Sequence, residues 1–311
     1  MRDNPRVVSD PLSDVLTLVN AQSFVTGGLF AGGAWSLRFP VPKDVKIHAI
    51  VKGSCWMLRD GQTEPERLEA GDVFVTSEAK SFVLATDLTL EPLDALTCFS
   101  GAPGHFATLG DGRDFSMLGG HVKLDGASKA LLVDVLPPLI HVHGASPEAV
   151  AVQQLLGMLA GEAQRDRAGT RLASNMLAQL LFVQALRAHL ASTAAPAAGW
   201  LKALADPRLA PALRLMHGDP SRSWGLEELA ASASISRSAF AAHFKSVVGV
   251  APVAYLATWR MRLAESALRQ GNTTVSSLAY SLGYASESAF SNAFKRAVGI
   301  APKHYRSRLA A

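Results

Sequence analysis

Cysteine is scarce: Cys55 and Cys98 are the only two in 311 residues, which excludes a disulfide framework as the source of stability. No uninterrupted apolar run reaches the roughly 20 residues that a membrane-spanning helix needs. The opening MRDNPRVVSDPLSDVL also lacks the charged start and apolar stretch of a secretion signal. The expectation is a cytoplasmic protein with no membrane partner. Catalytic arrangements are missing too. No Ser-His-Asp or Cys-His set is legible, and the glycines of TGGLFAGGAW, Thr26 to Trp35, lack the strand and helix context of a phosphate loop, so they read as turn glycines.

What charge there is lies unevenly. The net balance is +4, yet from Asp206 onward 13 Lys and Arg face 6 Asp and Glu, a balance of +7, while residues 1–205 hold 17 against 20, a balance of −3. Only the C-terminal part carries the electrostatic footprint of a phosphate-contacting surface. With 49% apolar residues, a chain of this length can bury a core in each of two domains, at about 100–200 residues per domain.

That basic part repeats itself. SRSAFAAHFKSVVGVAP, Ser236 to Pro252, returns fifty residues later as SESAFSNAFKRAVGIAP, Ser286 to Pro302, and each copy follows a short apolar stretch with a Leu-Ala pair, Leu229-Ala230 and Leu278-Ala279. Phe240, Phe244 and Val247 or Val248 recur at helical spacing, as do Phe290, Phe294, Ala297 and Val298, so they form a buried stripe. Ser236 and Ser286 suit helix N-caps, Gly249 and Gly299 suit helix ends, and Pro252 and Pro302 open the next helices. Opposite the stripe fall Ser238, Ala241, Ala242 and Lys245 in the first copy and Ser288, Ser291, Asn292 and Lys295 in the second. A duplicated helix-turn-helix is what places two recognition helices in successive major grooves, roughly 34 Å apart. The alternative, in which Lys245, Lys295 and Arg296 only solvate helix faces, does not account for their repeated placement beside those polar positions.

These residues resemble the DNA-binding domain of AraC/XylS-family transcription regulators, most of all in LAYSLGYASESAFSNAFKRAVGIAPKHYR, Leu278 to Arg306, and in the linking stretch YLATWRMRLAESALRQG, Tyr255 to Gly271. The resemblance implies two helix-turn-helix units joined by a rigid helix. It implies contacts to double-stranded operator DNA from Arg237, Ser238, Ala241, Ala242 and Lys245, and from Glu287, Ser288, Ser291, Asn292, Lys295 and Arg296. There are two departures. Ser234 stands where the family usually has a turn glycine, kept here as Gly283 in the second motif; Ala241-Ala242 replace the longer polar side chains that are common. A methyl group can touch only a thymine methyl, whereas Asn292 can pair with adenine, so the second motif is expected to read sequence more actively.

The N-terminal part reads as β-structure. WSLRF (Trp35 to Phe39), KIHAIVKG (Lys46 to Gly53), SCWMLRDG (Ser54 to Gly61) and DVFVTS (Asp72 to Ser77) are broken by turn signals at the spacing of a small barrel or sandwich. This segment is similar to the cupin barrels attached to a subgroup of AraC-type regulators. From about Pro147 the period turns helical, with Leu172, Met176, Leu177, Leu180, Leu181, Leu186 and Leu190 on an amphipathic helix, and STAAPAAG, Ser192 to Gly199, looks like a flexible joint.

Cupins also host metal enzymes, so a metal-dependent enzyme fused to a DNA-binding module is the rival reading. Only His48 lies in the first segment, however, and Phe82 stands where a later histidine ligand would be expected, so neither metal nor cofactor is assigned. His141 and His143, following Pro137-Pro138, read as a surface connection. Trp35, Phe39, His48, Trp56 and Phe74 are the candidates for lining a small-molecule effector site, with packed core as their ordinary role. Cys55 and Cys98 leave open redox sensing.

The expected fold is α+β and multidomain. A cupin-like barrel with flanking helices occupies 1–145, a helical dimerisation and linker region 146–205, and an all-α double helix-turn-helix domain 206–311. The expected function is sequence-specific transcription regulation, not enzymatic catalysis, by a homodimer that senses an effector and, when it activates, meets RNA polymerase.

Overall fold

The computed structural model describes residues 10–77, 80–102, 105–125, 129–163, 167–192, 199–271 and 273–310. They divide into two compact units. The first holds the described residues of Asn20–Asp125 and Leu136–Pro196. It contains β1 (Gln22–Ala31), β2 (Ser36–Phe39), β3 (Val45–Lys52), β4 (Ser54–Arg59), β5 (Glu66–Glu69), β6 (Val73–Thr76), β7 (Phe82–Ala85), β8 (Leu93–Asp94), β9 (Phe106–Leu109), β10 (Phe115–Lys123) and β11 (Leu139–Val142). Two sheets result, ordered β11-β6-β3-β10-β1-β9 and β5-β4-β7-β2-β8, antiparallel except where β9 joins β1 and β8 joins β2. This is the expected β-rich cupin architecture.

Strand alternation sends one set of side chains inward. Along β4, Cys55 and Met57 are buried while Trp56 between them is only half-buried. With Leu29, Trp35, Leu37, Ile50, Phe74, Phe82, Leu84 and Phe115 they make one core. Full burial of each large apolar side chain stabilises the fold by about 1.5–3 kcal/mol before ordering costs. Gly27 and Gly28 lie inside β1, not in a turn as their sequence context suggests. A Cβ at Gly27 would come within 2.0 Å of the His105 carbonyl oxygen, and one at Gly28 within 2.6 Å of that of Met117. The glycines are thus set by close approach of neighbouring backbone.

Two helices cover the six-stranded sheet, α4 (Val150–Ala163) and α5 (Thr170–Ala191). α5 buries Ala178, Leu181, Phe182, Ala185 and Leu186. Its Gln179 and Asn175 side-chain oxygens accept from the backbone N–H groups of Ser23 and Val25, at 2.8 and 3.3 Å. The amphipathic stripe read from sequence is split between two faces: Leu172, Met176 and Leu180 remain exposed, Leu172 and Met176 by more than 60%.

The second unit holds the described residues of Met1–Val19, Gly126–Val135 and Ala197–Ala311. It is helical: α1 (Pro11–Leu18), α3 (Ala130–Val133), α6 (Gly199–Ala205), α7 (Ala210–Gly218), α8 (Leu226–Ser232), α9 (Arg237–Val248), α10 (Pro252–Gln270), α11 (Val275–Ser281), α12 (Glu287–Val298) and α13 (Pro302–Ala310); α2 (Ala95–Ser100) belongs to the other unit. The compact units cut across the boundaries drawn at 145 and 205. α1 and α3 pack with the C-terminal helices, α4 and α5 with the sheets, and α6 with the C-terminal helices. Burial of Leu12, Val15 and Leu16 and a 3.3 Å approach of Asp14 Oδ2 to His217 Nδ1 hold α1 there, and Trp200 Nε1 donates to the Leu131 carbonyl at 2.8 Å. Most of the expected flexible joint, residues 193–198, lies outside the described residues. Among the described residues no single helix is long and apolar enough to cross a membrane.

Candidate nucleic-acid interface

Each C-terminal motif is built on its own core. In the first, Phe240 and Phe244 of α9 are fully buried against Leu213, Met216, Leu229 and Leu256. In the second, Phe290 and Phe294 of α12 pack on Met261, Ala264, Leu268 and Leu278. Leu256 lies in the first half of α10, Met261 at its middle and Ala264 and Leu268 in its second half, so one helix completes both cores. Val247, Val248 and Val298 pack at the margins as the periodicity predicts, but Ala297 is exposed and leaves the stripe.

The ends of the recognition helices follow the repeat. Ser236 Oγ accepts from the Ala239 N–H at 3.3 Å and Ser286 Oγ from the Ala289 N–H at 3.1 Å, while Gly249 and Gly299 close the helices in left-handed conformation. In the preceding turns the motifs part. Gly283 has φ +78° and Ser234 φ +55°, so a serine adopts a backbone region that disfavours any Cβ.

On the outward faces, Arg237, Ser238, Ala242 and Lys245 are exposed and Ala241 half-buried; Ser288, Asn292, Lys295 and Arg296 are exposed, with Glu287 and Ser291 half-buried. All eleven expected contact residues therefore fall on these two helices with their polar positions outward. Arg237 is paired with Glu227 at 2.9 Å, and its counterpart Glu287 with Lys303 at 3.5 Å. Exposed pairs of this kind contribute about 0–1 kcal/mol, so Arg237 can be released to a phosphate or a base and Glu287 to a base amino group. No local pattern marks Arg260. From α10 its guanidinium donates to the carbonyls of Pro220 (2.6 Å), Ser221 (3.3 Å) and Arg222 (2.9 Å), fixing the segment before α8, and it lies 5.8 Å from the Tyr284 ring centroid. Burial raises the Tyr284 phenol pKa, an effect that the nearby Arg260 and Arg296 oppose.

In the β-unit, four of the five candidate effector residues come together in or against the core. His48 stacks on Phe74 at 4.7 Å between ring centroids and meets Phe39 edge-on at 5.8 Å, while Trp35 packs on Phe115 at 4.8 Å. Trp56 does not join them: it alternates away from Cys55 and Met57 and lies under the Arg67 guanidinium, 4.9 Å from the ring centroid. Phe82 stacks on Phe39 at 4.9 Å and meets His48 edge-on, placing aromatic carbon where a second metal-binding histidine would be needed. Burial, with a smaller contribution from Lys46, depresses the His48 pKa to about 3, so the imidazole is neutral, and its Nδ1 has no hydrogen-bond partner among the described residues. A cavity of about 20 Å³ adjoins it, lined by Ile47, Leu118, Leu159 and Leu181 among others. That is room for one water and not for an effector. Burial pushes the Cys55 thiol up to about 12 and also raises Cys98, so both remain protonated at neutral pH, which disfavours the redox reading.

His141 does not sit in the surface connection expected of it, whereas His143, exposed just beyond β11, does. His141 lies on β11, opposite Phe74 in the sheet, with Nε2 2.8 Å from Asp72 Oδ2, and the His143 ring lies 3.9 Å from that of His141. Asp72, nearly seventy residues earlier in the chain, could not be matched to them by local pattern.

Comparison with known proteins agrees with the two-part architecture. Residues 10–191 match a cupin family, and residues 229–308 match a helix-turn-helix domain family. Putative AraC-like transcription regulators of Streptomyces lividans and Streptomyces antibioticus are 41% and 40% identical over 297 residues, in each case 96% of this chain and 98% of the relative. The HTH-type transcriptional regulator AlkR of Acinetobacter baylyi is 32% identical over 288 residues, 89% of this chain and 92% of its own. With duplicated, capped recognition helices on the basic side of the sequence and full-length likeness of this degree, the chain belongs to the AraC family of DNA-binding transcription regulators, with a cupin N-terminal domain.

Proposed function

We propose that the paired motifs read two successive major grooves of one operator and that the cupin domain carries the signal controlling them. The observation behind this reading is α10: by completing both cores it holds two exposed recognition faces as one body. Asn292 reads a base edge, with adenine the natural partner of its amide, Lys245, Lys295 and Arg296 neutralise phosphate, and Ala241-Ala242 allow close backbone approach or thymine-methyl contact. A neutral His48 amid aromatic rings, its Nδ1 without a partner among the described residues, is the polar handle for a small, largely apolar effector; because the interior is filled, binding would require the rings of Phe39 and Phe82 to move. An effector acts only by binding one arrangement of the protein better than another.

The exposed residues Leu172, Met176 and Leu180, spaced one helical turn apart on α5, support a homodimer formed through that helix. We also infer a cytoplasmic regulator and not an enzyme: its relatives are named as regulators, and His48 has aromatic neighbours where ligands would be needed. If the protein activates, RNA polymerase is the further partner. The test is selection of bound DNA from a random pool by the full-length protein, followed by footprinting at several salt concentrations. About 20 protected base pairs and binding that weakens steeply with salt are expected. Protection of a single helical turn would show that one motif is idle and reject the two-groove reading.

A further inference from the structure

We propose that Asp72, His141 and His143 form a binding site for one divalent transition-metal ion, zinc being the best fit. The idea is independent of the metal-enzyme reading, which concerned His48. The three side chains each offer one ligand atom, and these atoms lie within 4.8 Å of one another. Two imidazoles and one carboxylate are the nitrogen and oxygen donors that suit zinc and similar ions, and three protein ligands leave one position open for water.

The fold brings the set together deliberately. β11 ends at Val142 and His143 follows directly, so the His-X-His spacing brings the two rings together, 3.9 Å between centroids. Asp72 closes the turn between β5 and β6. A Cβ on Gly144 would lie only 2.7 Å from the Gly71 carbonyl carbon, so the glycine allows the end of β11 to press against that turn. The Gln153 side chain of α4 donates to the Gly144 carbonyl and holds this segment in place.

The surroundings orient the ligands. The Gly144 N–H donates to Asp72 Oδ1 at 2.7 Å and the Glu69 N–H to Oδ2 at 3.0 Å, which fixes the carboxylate and leaves further lone pairs free. Glu66 Oε2 lies 4.0 Å from His141 Nδ1, the ring nitrogen that would face away from a metal on Nε2, and a carboxylate there steadies a ligating histidine. Zinc ligands at about 2.0–2.1 Å from the ion in a tetrahedron lie about 3.3 Å apart. The 2.8 Å contact between His141 and Asp72 would therefore open by about half an ångström, and the exposed His143 would swing inward. A purely structural Asp72-His141 hydrogen bond explains two of the three residues. It gives no role to His143, whose ring has no hydrogen-bond partner among the described residues.

The test uses the full-length protein freed of any affinity tag, stripped with chelator, dialysed and titrated with zinc and with cobalt(II). One equivalent of zinc should bind, cobalt should give the visible absorption of a four- or five-coordinate site, and His143→Ala should weaken binding by about 100-fold while leaving the melting temperature of the metal-free protein unchanged. Asp72→Asn should also abolish binding but can disturb the fold, so His143→Ala carries the decision. Absence of stoichiometric uptake, or uptake that His143→Ala leaves intact, would overturn the proposal. Loss of uptake on His48→Ala with retention in His143→Ala would also overturn it, by placing the ion in the barrel core.

Discussion

The two helix-turn-helix motifs share a backbone but not a burden. Their caps, their paired phenylalanines and their closing glycines recur at a fixed offset of fifty residues, and even Tyr255 and Tyr305 meet Phe244 and Phe294 in the same edge-on manner. Where they differ, the first motif sacrifices and the second conserves. The first carries a strained Ser234 in its turn and bare methyl groups on its recognition face. The second keeps Gly283 and presents Ser291 and Asn292. The first is instead tied into its unit: His217 Nε2 lies 2.8 Å from the Tyr255 hydroxyl and its ring stacks on Trp259 at 4.1 Å, whereas Tyr305 in the second hydrogen-bonds to Arg269. The comparison suggests that reading and anchoring were divided between the copies.

The largest expected effect is at the turn that the second motif has kept. Gly283→Ser combines a positive φ with a Cβ only 1.9 Å from the Ser221 carbonyl oxygen, so stability should fall by at least about 2 kcal/mol in denaturant titration. An unchanged midpoint would mean that the turn relaxes freely and that the serine at 234 carries no message.

Next comes base reading. Asn292→Ala should lose about 1–3 kcal/mol of discrimination at one or two base pairs, measured by competition among operator variants. The equivalent exchange in the other copy, Ala242→Asn, should create a preference in the half-site that lacked one. If Asn292→Ala weakens every sequence equally, the division of labour is refuted.

Lysine exchanges should be blind to sequence. Lys245→Ala and Lys295→Ala should each reduce the slope of log affinity against log salt by about 1, to the same extent in both motifs. A loss confined to one of them would show that only one motif touches phosphate.

The smallest effect is Ser234→Gly. Relief of the left-handed strain should outweigh the greater freedom of glycine in the unfolded chain by about 0.5 kcal/mol, with no change in the DNA sequence preferred. Destabilisation instead would indicate that the Ser234 side chain has a compensating role.

The repeat, its caps and its aromatic stripes were legible because each rests on local spacing, and the same is true of the four strands read between Trp35 and Ser77. What escaped depends on distant partners. That α1 packs with helices two hundred residues later follows from Asp14 meeting His217 and from buried Leu12 and Val15, none of which leaves a local mark. Trp56 was read as interior because strand composition does not say which face is which; the inward faces of Cys55 and Met57 decide it. The place of His141 in a strand was not legible after two prolines because Asp72, which its ring meets at 2.8 Å, lies in another part of the sequence. The outward faces of α9 and α12 followed from the repeat, whereas the ion pairs of Arg237 and Glu287 and the carbonyl-holding role of Arg260 required three dimensions.

The helix α10 has a further consequence. Its 19 residues rise about 1.5 Å each, so it acts as a ruler of about 28 Å with a fixed angular setting. Adding or removing one residue would lengthen or shorten it only slightly but would turn everything beyond by about 100°. On the two-groove reading proposed above, the second recognition face would then look away from the side of the DNA that the first meets. Point substitutions along α10 can be absorbed one at a time, but insertions and deletions cannot, so the spacing within an operator is the property this regulator would be slowest to change over evolutionary time.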